Sequence, residues 1–138
     1  MGIRVKNLSN IVIALRAAGT LTATANKDCA KVPFTGMISN IVAKIADGGS
    51  GATNTIADLN LNGTTLFSES TKITLASTTG VASYGALTTD PTPVTYGSIL
   101  SLDVDQISTT ASNLIVEVTI SKGPVSKCSF LEDQDVVM

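Results

Sequence analysis

The residues of this sequence that are best suited to chemistry are two aspartates, Asp103 and Asp105, separated by one residue. Residues two apart in a strand lie on one face, and paired carboxylates bind Ca²⁺ or hydrolyse glycosidic bonds. A glycosidase cleft also needs aromatic walls, and the chain has no Trp, two Tyr and three Phe. Carboxylates are common at the exposed face and exit of a strand. We therefore expect both to be structural, with no metal and no cofactor.

Other catalytic arrangements are excluded by composition. The chain has no histidine, which removes the commonest general base and excludes Ser-His-Asp and Cys-His sites. Cys29 and Cys128 are too far apart for a zinc motif, and we expect free thiols, with one disulfide as the alternative. The glycine-rich segment 47–54 lacks the Gly-Lys-Ser/Thr ending of a phosphate loop and is interpreted as a connection between strands. The sequence thus predicts that the protein is not an enzyme.

Charge and hydropathy limit the possible partners. Nine basic and eleven acidic residues are scattered along the chain, so no concentrated positive face indicates nucleic-acid binding. No apolar stretch is long enough to span a membrane, and the run 11–15 is too short for a signal peptide. We therefore expect synthesis and folding in the cytoplasm. With 43% hydrophobic and only 14% charged residues, some surface is expected to be covered by a partner.

The first part of the chain alternates between apolar and polar residues. Ile3 and Val5, and then Ile11, Ile13 and Leu15, follow a period of two, which is typical of strands. We interpret residues 1–19 as an N-terminal arm or first strand, with a short helix at 11–18 as the alternative. A second strand is predicted at 21–25, followed by a turn at 26–28.

Two further predictions concern the middle of the chain. In segment 37–45, Met37 and Ile41 are predicted to face a core, with Ile38 on the opposite face. Asn62-Gly63 is typical of a type I′ hairpin turn and sets Asn60 opposite Thr65, and Asp58 opposite Phe67. Phe67 is therefore expected to point outward, where it contacts another subunit or lies under the N-terminal arm.

The C-terminal half ends with two regular strands, over 98–104 and 114–120, whose alternate apolar residues should face inward. Between the hairpin and these two strands, residues 72–76 are predicted to form a strand. Residues 77–97 are predicted to form an exposed loop that contains one weak strand near 81–87. Seven or eight short strands with no long helix predict an all-β protein, a single antiparallel β-sandwich or barrel. We divide the chain into an arm (1–19), a sandwich domain (20–122) and a C-terminal tail (123–138).

Several short stretches within residues 33–120 together carry a pattern shared with one group of known proteins. The matching stretches begin with Gly36 and the strand ending in Ala43-Lys44-Ile45-Ala46, followed by the glycine-rich loop through Gly51. They continue with Asp58-Leu59-Asn60-Leu61-Asn62-Gly63-Thr64-Thr65-Leu66-Phe67-Ser68, then Gly97 leading into Leu100-Ser101-Leu102-Asp103-Val104-Asp105-Gln106, and Asn113-Leu114-Ile115-Val116-Glu117-Val118. In these stretches, residues 33–120 resemble small virion proteins of tailed bacteriophages, the capsid decoration (cement) or head-fibre-like β-sandwich proteins. The arm and the tail lie outside the resemblance.

The resemblance implies a jelly-roll-like sandwich that forms a homotrimer and binds the major capsid protein on the outer surface of the shell. The alternative is a receptor- or glycan-binding module of a head or tail fibre, against which the scarcity of aromatic residues argues. The expected location is the virion, and no nucleic-acid or membrane partner is expected. The candidate interface residues are Ile3, Val5, Ile11, Ile13, Phe67, Phe130 and Leu131.

Overall fold

The structure is a computed structural model that describes residues 10–68, 71–77, 83–84 and 86–122. These residues form two five-stranded antiparallel sheets that enclose one hydrophobic core. The predicted fold class, an all-β antiparallel sandwich, is confirmed.

Each sheet has two inner strands that pair with neighbours on both sides. The first sheet contains β1 (Asn10–Thr20), β3 (Gly36–Asp47), β7 (Ser83–Tyr84), β8 (Thr92–Val94) and β10 (Ser112–Ser121). Its order is β1-β10-β3, and β7 and β8 both pair with β3. The second sheet contains β2 (Thr24–Lys31), β4 (Thr55–Leu61), β5 (Thr64–Thr65), β6 (Ile73–Leu75) and β9 (Ile99–Gln106). Its order is β2-β9-β4, and β5 and β6 both pair with β4.

The central strands β9 and β10 supply much of the core, as their alternation predicts. From Leu100 to Val104 and from Leu114 to Ile120, every second residue is at most 2% exposed, because successive side chains of a strand point to opposite faces. These residues are Leu100, Leu102, Val104, Leu114, Val116, Val118 and Ile120.

In β3, the prediction that Ile38 faces away from the core is wrong. Ile38 pairs with Ile120, and Ile41 pairs with Val118. Between these two pairs, β3 therefore contains one residue more than β10. Such a β-bulge reverses the alternation on either side of it. Ile38 and Ile41 are therefore both buried.

The predicted turn at 26–28 is also wrong, because these residues lie within β2. Asn26 adopts a left-handed φ of 52°, which asparagine tolerates, and the register to β9 shifts between Thr24 and Asp28. The residues that suggested a turn form a bulge. Residues 10–20, in contrast, form a strand and not the alternative helix.

The hairpin at Asn62-Gly63 forms as predicted. Both residues have positive φ, 51° and 87°, and Asn60 pairs with Thr65. The Asn62 side chain also fixes the turn to β9, because its Oδ1 accepts a hydrogen bond from the amide of Ile99 at 2.9 Å.

Two variants of β9 test the inward and outward faces of this strand. Leu102→Ala should lower the free energy of unfolding by about 2–5 kcal/mol, because it leaves a cavity in a packed core. Ile99→Ala, on the opposite face and 43% exposed, should lower it by less than about 1 kcal/mol. Urea unfolding measures both values, and equal losses would contradict the assigned faces.

Candidate interaction surface

Three aspartates that could have formed a reactive site lie together on the outer face of the second sheet. Asp58 of β4 pairs with Asp103 of β9, and Lys72 bridges the cluster. The Lys72 Nζ lies 2.8 Å from Asp105 Oδ2 and 3.4 Å from Asp58 Oδ2. Asp58 is only 5% exposed, and its Oδ1 accepts a hydrogen bond from Thr65 Oγ1 at 2.5 Å.

Asp103 is held on both of its oxygens. Its Oδ1 accepts from the amide of Asn26, and its Oδ2 accepts from Asn60 Nδ2, each at 2.7 Å. Both Asp103 and Asp105 thus connect strands of the sheet. Among the described residues, no three His, Cys, Asp or Glu side chains are placed to hold a metal ion.

The prediction that Phe67 points outward is wrong. Phe67 is 2% exposed and belongs to the core. The strand β5 ends at Thr65, whose Oγ1 accepts from the amide of Phe67 at 3.2 Å, and Phe67 then pairs with Leu87. This break in alternation turns both Leu66 and Phe67 inward, so Phe67 has no exposed ring to offer a partner.

The structure places the other candidate interface residues unequally. Ile11 and Ile13 lie on β1 and are half-buried, and Ile13 packs against the core. Ile3, Val5, Phe130 and Leu131 lie outside the described residues, as does Cys128. Cys29 is exposed on β2, with a free thiol.

The free side of β1 is open over its first half. The amide of Arg16 donates to Asp28 Oδ2 of β2 at 2.8 Å, so the main-chain groups of Arg16 face away from β10. These groups alternate between the two sides of an antiparallel strand. Those of Val12 and Ala14 therefore face the same free side, and within the described residues they have no hydrogen-bond partner.

We call Asn10–Leu15 the open edge. It contains no charge, proline or glycine, the features that usually protect exposed edges from pairing with other chains. Val12 is 57% exposed on its outer face. The second half of β1 is protected, because Asp28 caps Arg16 and a register shift follows between Ala17 and Thr20.

The remaining edges of the sandwich are protected within the described chain. On the second sheet, β2 carries Lys27, Asp28 and Lys31 and is bulged. The opposite rims are made of strands of only two or three residues, and β8 contains Pro93. Short strands, charges and proline limit edge-to-edge pairing. The open edge therefore stands out as the candidate interaction surface.

A second exposed patch was missed by the sequence analysis. Tyr96 is 65% exposed and Ile99 is 43% exposed, with the Lys31 Nζ lying 4.8 Å from the centre of the Tyr96 ring. Tyr96 follows a proline-containing segment and has no periodic neighbours, so no sequence pattern marked it. An open groove of about 510 Å³ lies elsewhere, beside the hairpin, and is lined mainly by threonines and by Leu61, Leu66 and Phe67.

Comparison with known proteins gives a likeness of structure but not of sequence family. No protein-family model matches the chain, and no curated protein matches it. A solved structure described as the cyanophage Pam1 capsid asymmetric unit is similar to it, with a TM-score of 0.41 and 17% identity, over 89% of this chain and 93% of that chain. No helix of the described residues is long and apolar enough to cross a membrane.

Replacing Lys72 tests whether the aspartate cluster is structural. Lys72→Met should lower the free energy of unfolding by about 1–3 kcal/mol, because it removes the cation beside the buried Asp58 carboxylate. The matched control is Lys44→Met, on an exposed position of β3, which should change stability by less than about 0.5 kcal/mol. Thermal or urea unfolding of both variants gives the comparison, and a loss no larger at Lys72 than at Lys44 would contradict the bridging role.

Proposed function

We propose that this chain is a bacteriophage capsid decoration (cement) protein, a homotrimer that binds the outer surface of the major capsid shell and stabilises it. The observation that carries the proposal is the open edge, a long apolar strand edge on a domain whose other edges are protected. A protein that worked alone in solution would gain nothing from an edge prone to pairing. A protein that works within an assembly uses such an edge for contact.

The polar residues support a non-catalytic role. The carboxylates of Asp58, Asp103 and Asp105 are engaged in ion pairs and hydrogen bonds that connect strands. A general acid or base must reach its substrate, and Asp58 and Asp103 are occupied by contacts within the domain. We therefore infer that the protein acts through the area it buries and not through a reaction.

The strand order supports the jelly-roll arrangement expected from the sequence resemblance. The first strand lies beside the last, β1 beside β10, and the second lies beside the ninth, β2 beside β9. This pairing, in which the first strand lies beside the last and the second lies beside the last but one, is characteristic of a jelly roll, a fold frequent in capsid proteins.

The same order brings the two ends of the domain together. Asn10, at the start of β1, pairs with Ser121, at the end of β10. The segments before and after the domain, which carry Ile3, Val5, Phe130 and Leu131, are therefore joined to it at one end of the first sheet. We place the contact with the major capsid protein at this end.

A cement protein needs no chemistry to stabilise a shell. Binding that occurs only to the assembled, expanded capsid favours that state by mass action, and the effect is repeated at every copy. The low content of charged residues, 14%, suits contacts that exclude water.

The direct test is to mix the purified protein with expanded capsids of its phage that lack it. We expect co-sedimentation and a higher disruption temperature of the capsids. The double variant F130A/L131A should weaken binding by about tenfold or more if these apolar side chains are buried on the shell, whereas Ser129→Ala should not. Absence of co-sedimentation with the unchanged protein would overturn the proposal, and binding to a glycan array without capsid affinity would favour the fibre-module alternative.

A further inference from the structure

We propose that the open edge of each copy receives residues 3–7 of a neighbouring copy as an additional antiparallel strand, so that the trimer is closed by exchanged arms. This inference rests on the proposed function only for the presence of neighbouring copies. It adds where residues 3–7 dock. From here on, the arm means the residues that precede β1, because residues 10–20 of the predicted arm form the first strand of the sheet.

The main chain of the open edge defines which arm residues can pair. Val12 and Ala14 turn their amide and carbonyl groups outward, as the hydrogen bond of Arg16 to Asp28 indicates. An antiparallel strand exchanges two hydrogen bonds with each such residue. Two arm residues separated by one position can therefore form four main-chain hydrogen bonds with this edge.

The two faces of the open edge differ, and so do the two faces of the arm. On the inner side, Ile13 is half-buried against the core. On the outer side, Ala14 pairs with Glu117 of β10, a half-buried carboxylate that has no ion-pair partner among the described residues. An arm strand that fits would put apolar residues inward and basic residues outward.

Residues 3–6, Ile-Arg-Val-Lys, have this alternation. With Arg4 opposite Ala14 and Lys6 opposite Val12, Val5 lies opposite Ile13 and covers its exposed part. Arg4, Ala14 and Glu117 would then lie in one row across three neighbouring strands. Because the Ala14 side chain is small, the long Arg4 side chain can reach past it to Glu117. Coulomb attraction between the two opposite charges would favour this register.

This register points to an arm from another copy. Within one chain, it would set Asn7 opposite Ile11 and leave only residues 8–10 to reverse direction. A three-residue hairpin loop needs a left-handed final residue, but Asn10 is extended, paired with Ser121 and absent from the residues of positive φ. The arm of a second copy has no such restriction. In the proposed homotrimer each copy gives its arm to one neighbour and receives an arm from the other, which is a head-to-tail contact around a three-fold axis.

Disulfide trapping tests the exchange in the full-length protein. In a background of Cys29→Ser and Cys128→Ser, the pair Val5→Cys and Ile13→Cys lies at a non-hydrogen-bonded position, where Cβ atoms are close enough for a disulfide. Mild oxidation should give covalent dimers and trimers on a denaturing gel without reductant. The matched control, Val5→Cys with Val12→Cys, places the thiols on opposite faces and should give at least tenfold less product.

The other outcomes overturn the exchange. A disulfide within one chain would show that the arm folds onto its own domain, and the absence of any disulfide would show that it docks elsewhere. As a second check, Ala14→Pro removes an amide that faces away from β10, a position that tolerates proline at a sheet edge. It should abolish cross-linking of the Val5/Ile13 pair while the domain stays folded, and undiminished cross-linking would also overturn the proposal. Capsid co-sedimentation is read separately, so failure of arm exchange and failure of the decoration role are distinguished.

Discussion

Main-chain N–H and C=O groups at the rim of a β-sheet need partners as much as those inside it. In this sandwich, β9 and β10 meet that need on both sides, since each lies between two strands of its own sheet. The strands outside them must end, be capped or remain open. Short strands end the rims at β5, β6, β7 and β8, charged side chains and a bulge protect β2, and Asp28 caps the middle of β1. The remaining stretch, Asn10–Leu15, stays open among the residues that the structure describes.

In the polar cluster on the second sheet, side chains provide contacts that the main-chain ladder does not provide at the rim. Asp103 binds the amide of Asn26 at the bulge of β2, where the regular ladder is interrupted. Lys72 connects Asp58 and Asp105, so that the segment leading into β6 is attached to both β4 and β9. Of the two carboxylates that looked like a reactive pair in the sequence, Asp103 thus supplies a hydrogen bond at the irregular edge of β2. Asp105 anchors the segment before β6 through Lys72.

Sequence patterns predicted the structure correctly wherever the hydrogen-bond ladder is regular. It located the hairpin at Asn62-Gly63 and the inward faces of β9 and β10, because turn chemistry and period-two burial are local properties. It was wrong at Ile38, Asn26 and Phe67, and each lies at a bulge or at the end of a strand. A bulge depends on the partner strand as well as on the chain itself. One inserted residue reverses the faces that follow, and a single sequence does not reveal where it occurs.

The same reasoning explains why the interaction surface was only half predicted. Ile11 and Ile13 were found from their alternation. What makes this stretch an interaction surface, however, is the open main chain of the alternating residues Val12 and Ala14, which depends on the position of β1 at the rim of the sheet. The Tyr96 and Ile99 patch had no sequence signal, because its residues come from a loop and from the outer face of β9. Surfaces of this kind arise from topology. Both terminal segments leave the domain beside the open edge, where Asn10 pairs with Ser121. Within the residues that the structure describes, the open main-chain groups and the two ends of the domain thus lie at the same rim of the first sheet, an arrangement that fits the role in an assembly that we propose.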